Sequence, residues 1–158
     1  MSPDLTPYPF GERQFFELVD RPKLRGGNLE DLSGEKLKRA EFRSSLIERI
    51  EGAWVKPFAA LTCHEVCCLL GQGMIMPWLA APLLDFVSRY PAAECGYYPG
   101  DMLANFLRNA NDAVAVMPRE MREWATSDLE ALEAIFEWSP PGLKEFRKLL
   151  QTLRLRVS

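Results

Sequence analysis

LTCHEVCCLLGQGMIMPWLAAPLLDFVSRYPAAECGYYPGDML, residues 61–103, decides the fold of this chain. Thr62 and Glu65 have the spacing of a capping box, in which the threonine hydroxyl accepts the N3 amide and the glutamate reaches back to the N-cap amide. The helix they open runs to Gln72, where the Gly71–Gly73 pair stops it. A second helix starts near Pro77, whose missing N–H costs nothing in a first turn. Pro82 bends that helix and Tyr90-Pro91 ends it. Pro99 and Gly100, central in Tyr98-Pro99-Gly100-Asp101, predict a type II turn, with glycine supplying the positive φ. Asp101 then caps, or complements the dipole of, a helix reaching about Asn109.

Working outward, the N-terminal side is Pro-rich and extended over residues 1–9. A short amphipathic helix is expected over Phe10–Asp20, ended by Pro22 and Gly26-Gly27. Asn28 to Gly34 reads as a loop. Ser33 is then the N-cap of a helix to about Glu51, with Leu37, Ala40, Ile47 and Ile50 at helical spacing. On the C-terminal side, Pro118 opens a helix to Trp124. Ser127 and Glu130 have the spacing of a second capping box, followed by Leu129, Leu132, Ile135 and Phe136. Ser139-Pro140-Pro141 opens the last helix, with Leu143, Phe146, Leu149, Leu150 and Leu153 inward. No window alternates with period two, and no repeat of 20–50 residues is evident. The expectation is an all-α, single compact domain of about seven or eight short helices.

Composition narrows the function classes. With 158 residues, 47% hydrophobic and 26% charged, the chain has the make-up of one ordinary globular domain. Its net charge of −3 and sequence pI of 5.3 argue against direct nucleic-acid binding, which favours basic domains. The acidity is concentrated. Residues 111–137 hold Asp112, Glu120, Glu123, Asp128, Glu130, Glu133 and Glu137 against Arg119 and Arg122, a local charge of −5. The tail from Gly142 holds Lys144, Arg147, Lys148, Arg154 and Arg156 against Glu145, or +4. The N-terminus lacks the charged and apolar regions of a signal peptide, and the longest apolar run is shorter than a membrane span. A cytoplasmic protein without a membrane contact is expected.

Candidate chemistry is sparse. Four cysteines in this setting read as free thiols. Cys63, Val66, Cys67 and Leu70 share one helix face, where cysteine packs as a small hydrophobe. A zinc site on Cys63, Cys67 and Cys95 would lack a fourth ligand and the usual paired spacing. His64 is the only histidine. It lies in reach of Cys67 or Cys68, but no orienting group or oxyanion site is recognisable. His64, Cys68 and Gln72 fit a polar stripe at the solvent edge. No phosphate-binding, dinucleotide or metalloprotease motif is present, so neither an enzyme nor a cofactor or metal is expected. In a helix after Ser127, Glu130, Glu133 and Glu137 would project together. They would form either a solvated face neutralised by the basic last helix or a surface complementary to a basic partner. Tyr97 and Tyr98 can bury their rings while the hydroxyls stay wet.

The run L-T-x-x-E, L-L-G-Q-G, the Pro-initiated apolar helix and Y-Y-P-G-D-M-L resembles the CdiI-type immunity proteins of contact-dependent growth inhibition systems. N-L-E-D-L at 28–32 and residues 45–58 are also similar to that family, so the family-like core covers about 28–110. The C-terminal helices over 117–156 look like an addition packed on it. The family's usual Phe-Trp pair is replaced by N-D-A-V-A-V-M-P. The resemblance implies a protein that binds and neutralises the CdiA C-terminal toxin domain of a neighbouring cell, often a nuclease, by blocking its active site or substrate groove. Asp112, Glu120, Glu123, Glu130, Glu133, Glu137, Tyr97 and Tyr98 are the expected toxin-binding residues. Thr62, Glu65, Gly71, Gln72, Gly73, Pro77, Pro99, Gly100 and Asp101 carry the structural motif. The competing readings are a helical adaptor without a toxin partner and a Cys-dependent enzyme.

Overall fold

In the computed structural model, which describes residues 3–19, 26–38, 41 and 44–158, the two capping oxygens of Thr62 and Glu65 start the central helix as expected. Thr62 Oγ1 accepts the Glu65 N–H at 3.2 Å, and Glu65 Oε1 accepts the Thr62 N–H at 3.1 Å. That helix is α4, Cys63–Gly71. It follows α1 (Phe15–Leu18), α2 (Leu29–Ser33), α3 (Ser45–Val55) and a 3-10 turn at Phe58–Ala60. After it come α5 (Met76–Arg89), α6 (Asp101–Arg108), α7 (Ala110–Val116), α8 (Pro118–Ala125), a 3-10 helix at Glu130–Phe136 and α9 (Pro140–Val157). The domain is all-α, with only single bridge pairs between extended residues among those described.

Both ends of α4 are closed by distant parts of the chain. A helix leaves its first N–H groups and last C=O groups without internal partners. The Cys63 and His64 N–H groups donate to Arg13 O and Gly11 O, at 2.8 and 2.9 Å. At the other end, Asn105 Nδ2 donates to Cys67 O at 3.3 Å and Asn109 Nδ2 to Leu70 O at 2.9 Å. The first docking is why the helix expected over Phe10–Asp20 shrinks to α1. Gly11 and Arg13 spend their carbonyls on α4, and residues 11–14 stay non-helical. Asp20 and Pro22 lie outside the described residues, as does Ala40.

Three other expectations change. Asn28 to Gly34 is a helix, not a loop: Asn28 Oδ1 accepts the Asp31 N–H at 2.8 Å, and Gly34, at φ 72°, closes α2 in the left-handed region. Ser33 therefore ends a helix instead of capping the next one, and Ser44 caps α3 through Ile47 N–H. Ser127 and Glu130 form no capping box. The Ser127 hydroxyl donates back to Trp124 O, and Glu130–Phe136 winds as a 3-10 helix without a side-chain cap. Residues 110–116, unassigned by periodicity, form α7. Pro82 does bend α5, with the break at Leu79 (φ −118°, ψ 18°). Its ring crowds the preceding turn and it has no N–H to donate there.

Phe15, Phe16, Phe86 and Phe106 are fully buried in a core shared by α4, α5 and α6. Burial of each such side chain contributes about 1.5–3 kcal/mol. Tyr8 and Phe10 pack on Tyr90, so residues 8–10 are fastened to the end of α5. α9 packs along α6, α8 and the 3-10 helix, with Phe146, Leu150, Leu153 and Val157 inward. Its N-cap is Ser139, as the sequence indicates.

Asp101 is the one buried charged residue among those described, 1% exposed. Its Oδ1 accepts N–H groups of Cys95 and Met102 at 2.9 and 2.8 Å, and its Oδ2 accepts those of Tyr97 and Tyr98 at 2.9 and 3.4 Å. Removing the carboxylate orphans these donors, each loss costing about 1–3 kcal/mol. Asp101→Ala is expected to lower unfolding free energy by about 3–5 kcal/mol, read from urea denaturation. A loss below about 1 kcal/mol would show that water replaces the carboxylate.

Candidate functional site

The Asp101 ring sets the direction of two tyrosines. The Asp101 N–H bonds Tyr98 O at 3.1 Å and Gly100 sits at φ 82°, the geometry of the expected type II turn. Gly100 also has no room for a side chain, since a Cβ there would lie 2.6 Å from Ile135 Cγ2. The close approach seats the 3-10 helix Glu130–Phe136 directly on the turn. Tyr97 is left 55% exposed, beside the His64 ring at 5.4 Å. Gly96 makes the second close approach: a Cβ would meet His64 Nδ1 at 1.9 Å. That nitrogen is 3.2 Å from Cys95 O.

Tyr98 is half-buried and meets Trp138 with ring centroids 5.9 Å apart. Trp138, 60% exposed, stands at the mouth of a groove of about 280 Å³ between α6, the 3-10 helix and α9. Ala104, Leu107, Phe136 and Phe146 give the groove an apolar floor. Arg108 closes one side. Its Nε donates to Glu145 Oε1 at 3.0 Å, its Nη2 donates to the same oxygen, and its Nη1 donates to Asn105 Oδ1 at 2.8 Å. Beyond Arg108 a second recess of about 260 Å³ is lined by Gln72, Tyr97, Tyr98 and Asn105. Tyr97, Tyr98, Arg108 and Trp138 thus form one continuous surface. Arg108, Trp138 and Glu145 had no sequence signal, because nothing near them in the chain shows that α6 and α9 meet.

The acidic residues do not converge. Glu133 takes both Arg147 Nε and Nη2, at 2.8 and 3.0 Å, and Glu130 takes Arg154 Nη1. Arg154 also donates to Ala125 O at 2.8 Å and Ser127 O at 3.2 Å, closing the end of α8. In a 3-10 helix residues three apart eclipse. Glu130 and Glu133 therefore face α9 together, while Glu137, which follows the helix, is not aligned with them. Glu137 is exposed. On α7 and α8, Asp112, Glu120 and Glu123 are exposed, and Glu123 pairs with Arg119. The solvated face neutralised by the basic helix describes Glu130 and Glu133.

The motif residues serve the framework. Glu65 is also held by Lys56 Nζ, at 2.8 and 2.9 Å. Gly71 lies against Asn105, and Gly73 turns at φ 71° beside Asn109. Pro77 stands in the first turn of α5. Gln72 is exposed, whereas Cys68 is buried, so the polar stripe with His64 is interrupted. Cys63, Cys67 and Cys95 are buried as well. Burial pushes the Cys67 thiol far up, and the Cys63 thiol with burial does the same to Cys95. Such thiols are protonated and inert as nucleophiles. Among the described residues no three His, Cys, Asp or Glu side chains are grouped to hold a metal ion, and no helix is long and apolar enough to cross a membrane. Comparison with known family models, curated proteins and solved structures returns no match.

The pairing of the 3-10 helix with α9 has a pH signature. The Arg154 guanidinium pulls the Glu130 carboxyl from 4.5 down to about 2, and Arg147 lowers Glu133. A carboxyl lowered on folding stabilises the fold above its unfolded value and loses that contribution as pH falls through its folded value. The stability gap between wild type and Glu130→Gln is expected to be full at neutral pH and to close between about 4.5 and about 2. Urea midpoints across that window test it. A pH-independent gap would mean that Glu130 acts through packing alone.

Proposed function

We propose that this chain works by binding, as an immunity protein that neutralises the C-terminal toxin domain of a cognate contact-dependent growth inhibition effector and catalyses nothing itself. The observation that carries the binding role is Trp138, 60% exposed at the edge of an apolar groove and continuous with Tyr97, Tyr98 and Arg108. A large aromatic left in water beside an unfilled groove is what a docking surface presents before its partner arrives. Tryptophan, tyrosine and arginine are also the residue types that most often dominate binding energy. The toxin assignment rests on the resemblance of residues 61–103 to CdiI-type proteins. Within that run, the turn at Gly100 and the Asp101 carboxylate hold the Tyr97 and Tyr98 backbone and leave the Tyr97 ring exposed.

The acidic contribution falls on fewer residues than the local charge suggests. Glu130 and Glu133 are committed to α9 and Glu123 pairs with Arg119, which leaves Asp112, Glu120, Asp128 and Glu137 as exposed carboxylates able to steer a basic toxin toward the surface. A groove-blocking mechanism follows: the aromatic surface anchors, and the free acids occupy positions that substrate phosphates would take.

Neutralisation requires little free toxin, so Kd is expected near nanomolar, about −12 kcal/mol. The adjacently encoded toxin domain should co-purify with the chain and lose activity in the complex. Trp138→Ala should weaken binding by about 2 kcal/mol or more, roughly thirtyfold, with the circular dichroism spectrum unchanged. Glu137→Lys should instead slow association in a salt-dependent manner. Calorimetry and stopped-flow kinetics measure both. A toxin that neither binds nor loses activity would remove the assignment, and full affinity in Trp138→Ala would move the interface elsewhere.

A further inference from the structure

We propose that His64 is a positioning residue of the binding surface: its imidazole, fixed on the Cys95 carbonyl, holds the exposed Tyr97 ring in the orientation in which the toxin domain meets it. The inference rests on the binding role above and adds a residue which that role did not include. His64 is itself anchored at two points. Its backbone N–H donates to Gly11 O at 2.9 Å, and its Nδ1 stands 3.2 Å from Cys95 O. A carbonyl oxygen only accepts, so Nδ1 carries the hydrogen and donates it. The ring also lies against the Gly96 backbone, where a Cβ would fall 1.9 Å from Nδ1. Only a glycine leaves room for the imidazole there.

The start of α4 does not need that ring. Thr62 and Glu65 cap it, and Arg13 O and Gly11 O take the next N–H groups. The turn after Cys95 is likewise drawn together by Asp101, on which the N–H groups of Cys95, Tyr97, Tyr98 and Met102 converge. What the imidazole meets beyond Cys95 and Gly96 is the Tyr97 ring, with centroids 5.4 Å apart and planes tilted by 40°. The Asp101 bond fixes the Tyr97 backbone and leaves its side-chain torsions to this contact. Tyr97 is 55% exposed. Holding such a side chain in one rotamer costs entropy that its partial burial returns only in part. A partner that meets the ring already held is spared that cost on binding. Tyrosine suits the task, since it offers a broad amphipathic contact with few torsions to fix.

The test uses His64→Asn, whose side-chain amide keeps a donor for Cys95 O and removes the ring. In the free chain, NMR three-bond couplings report the χ1 populations of Tyr97. One rotamer is expected in the wild-type chain and averaging in His64→Asn, with hydrogen-exchange protection of the Cys95 and Met102 amides unchanged. An equally ordered Tyr97 in the variant overturns the proposal. So does a loss of protection in the turn, because His64 would then serve the fold and not the ring. Binding of the adjacently encoded toxin domain, measured by calorimetry, supplies the second arm. His64→Asn should weaken it about threefold to tenfold and have no effect in a Tyr97→Ala background. Additive losses in that cycle overturn the proposal, since His64 would act other than through Tyr97. Full affinity in Tyr97→Ala overturns it while leaving neutralisation standing. A toxin domain that the wild-type chain does not bind removes the neutralisation reading and this role with it.

Discussion

A single carboxylate organises this molecule. Asp101 lies 1% exposed with four backbone N–H groups converging on its two oxygens. Burying a charge is costly unless it is hydrogen-bonded, and here backbone donors that would otherwise be orphaned take the place of water. The bonds fold the segment from Cys95 to Met102 into one turn and fix where α6 begins. α6 in turn sends Asn105 and Asn109 to the end of α4 and forms one wall of the groove. Helix direction, helix termination and the outward aim of Tyr97 all depend on the same group.

The C-terminal part is joined to this body by a different logic. Apolar contact seats α9, through Phe146, Leu150 and Leu153. Charge then aligns it: Arg147 and Arg154 engage Glu133 and Glu130, and Arg122 closes the far end by donating to Val157 O at 2.9 Å. Exposed ion pairs contribute little individually. Arg154 is the exception in kind, because it also takes two carbonyls at the end of α8 that would otherwise lack partners. Two of the seven acids in 111–137, Glu130 and Glu133, are therefore spent on this seam, and Asp112, Glu120, Asp128 and Glu137 remain exposed acids of that segment.

Beside this seam the exposed surface is aromatic, at Tyr97 and Trp138. Gly100 permits the 3-10 helix to sit against the turn, and that contact brings Trp138 to Tyr98. The groove beneath them has an apolar floor of Ala104, Leu107, Phe136 and Phe146 and is rimmed by the Arg108–Glu145 ion pair.

Features decided within three or four residues were legible from the sequence. The Thr62–Glu65 box, the turn at Tyr98-Pro99-Gly100-Asp101, the Pro77 start and the Ser139 cap each need only the side chain and the backbone beside it. Ser127–Glu130 has the same spacing and fails, because Glu130 has a stronger partner 24 residues away in Arg154. Asn28–Gly34 departs from the loop expectation for the opposite reason: its cap is local, Asn28 Oδ1 accepting the Asp31 N–H without any distant partner. Where Glu145 would meet Arg108, or Trp138 would meet Tyr98, no local rule can say. Those contacts exist because burial of the apolar faces of α6 and α9 brings residues 37 and 40 positions apart together, and hydrophobic burial is non-directional until a whole core has chosen its packing. The sequence by itself determined the all-α class, the Thr62–Glu65 box, the Ser139 cap and the turn at Pro99-Gly100. Tertiary packing alone decided which charges are spent internally and which aromatic side chains stay exposed beside the groove.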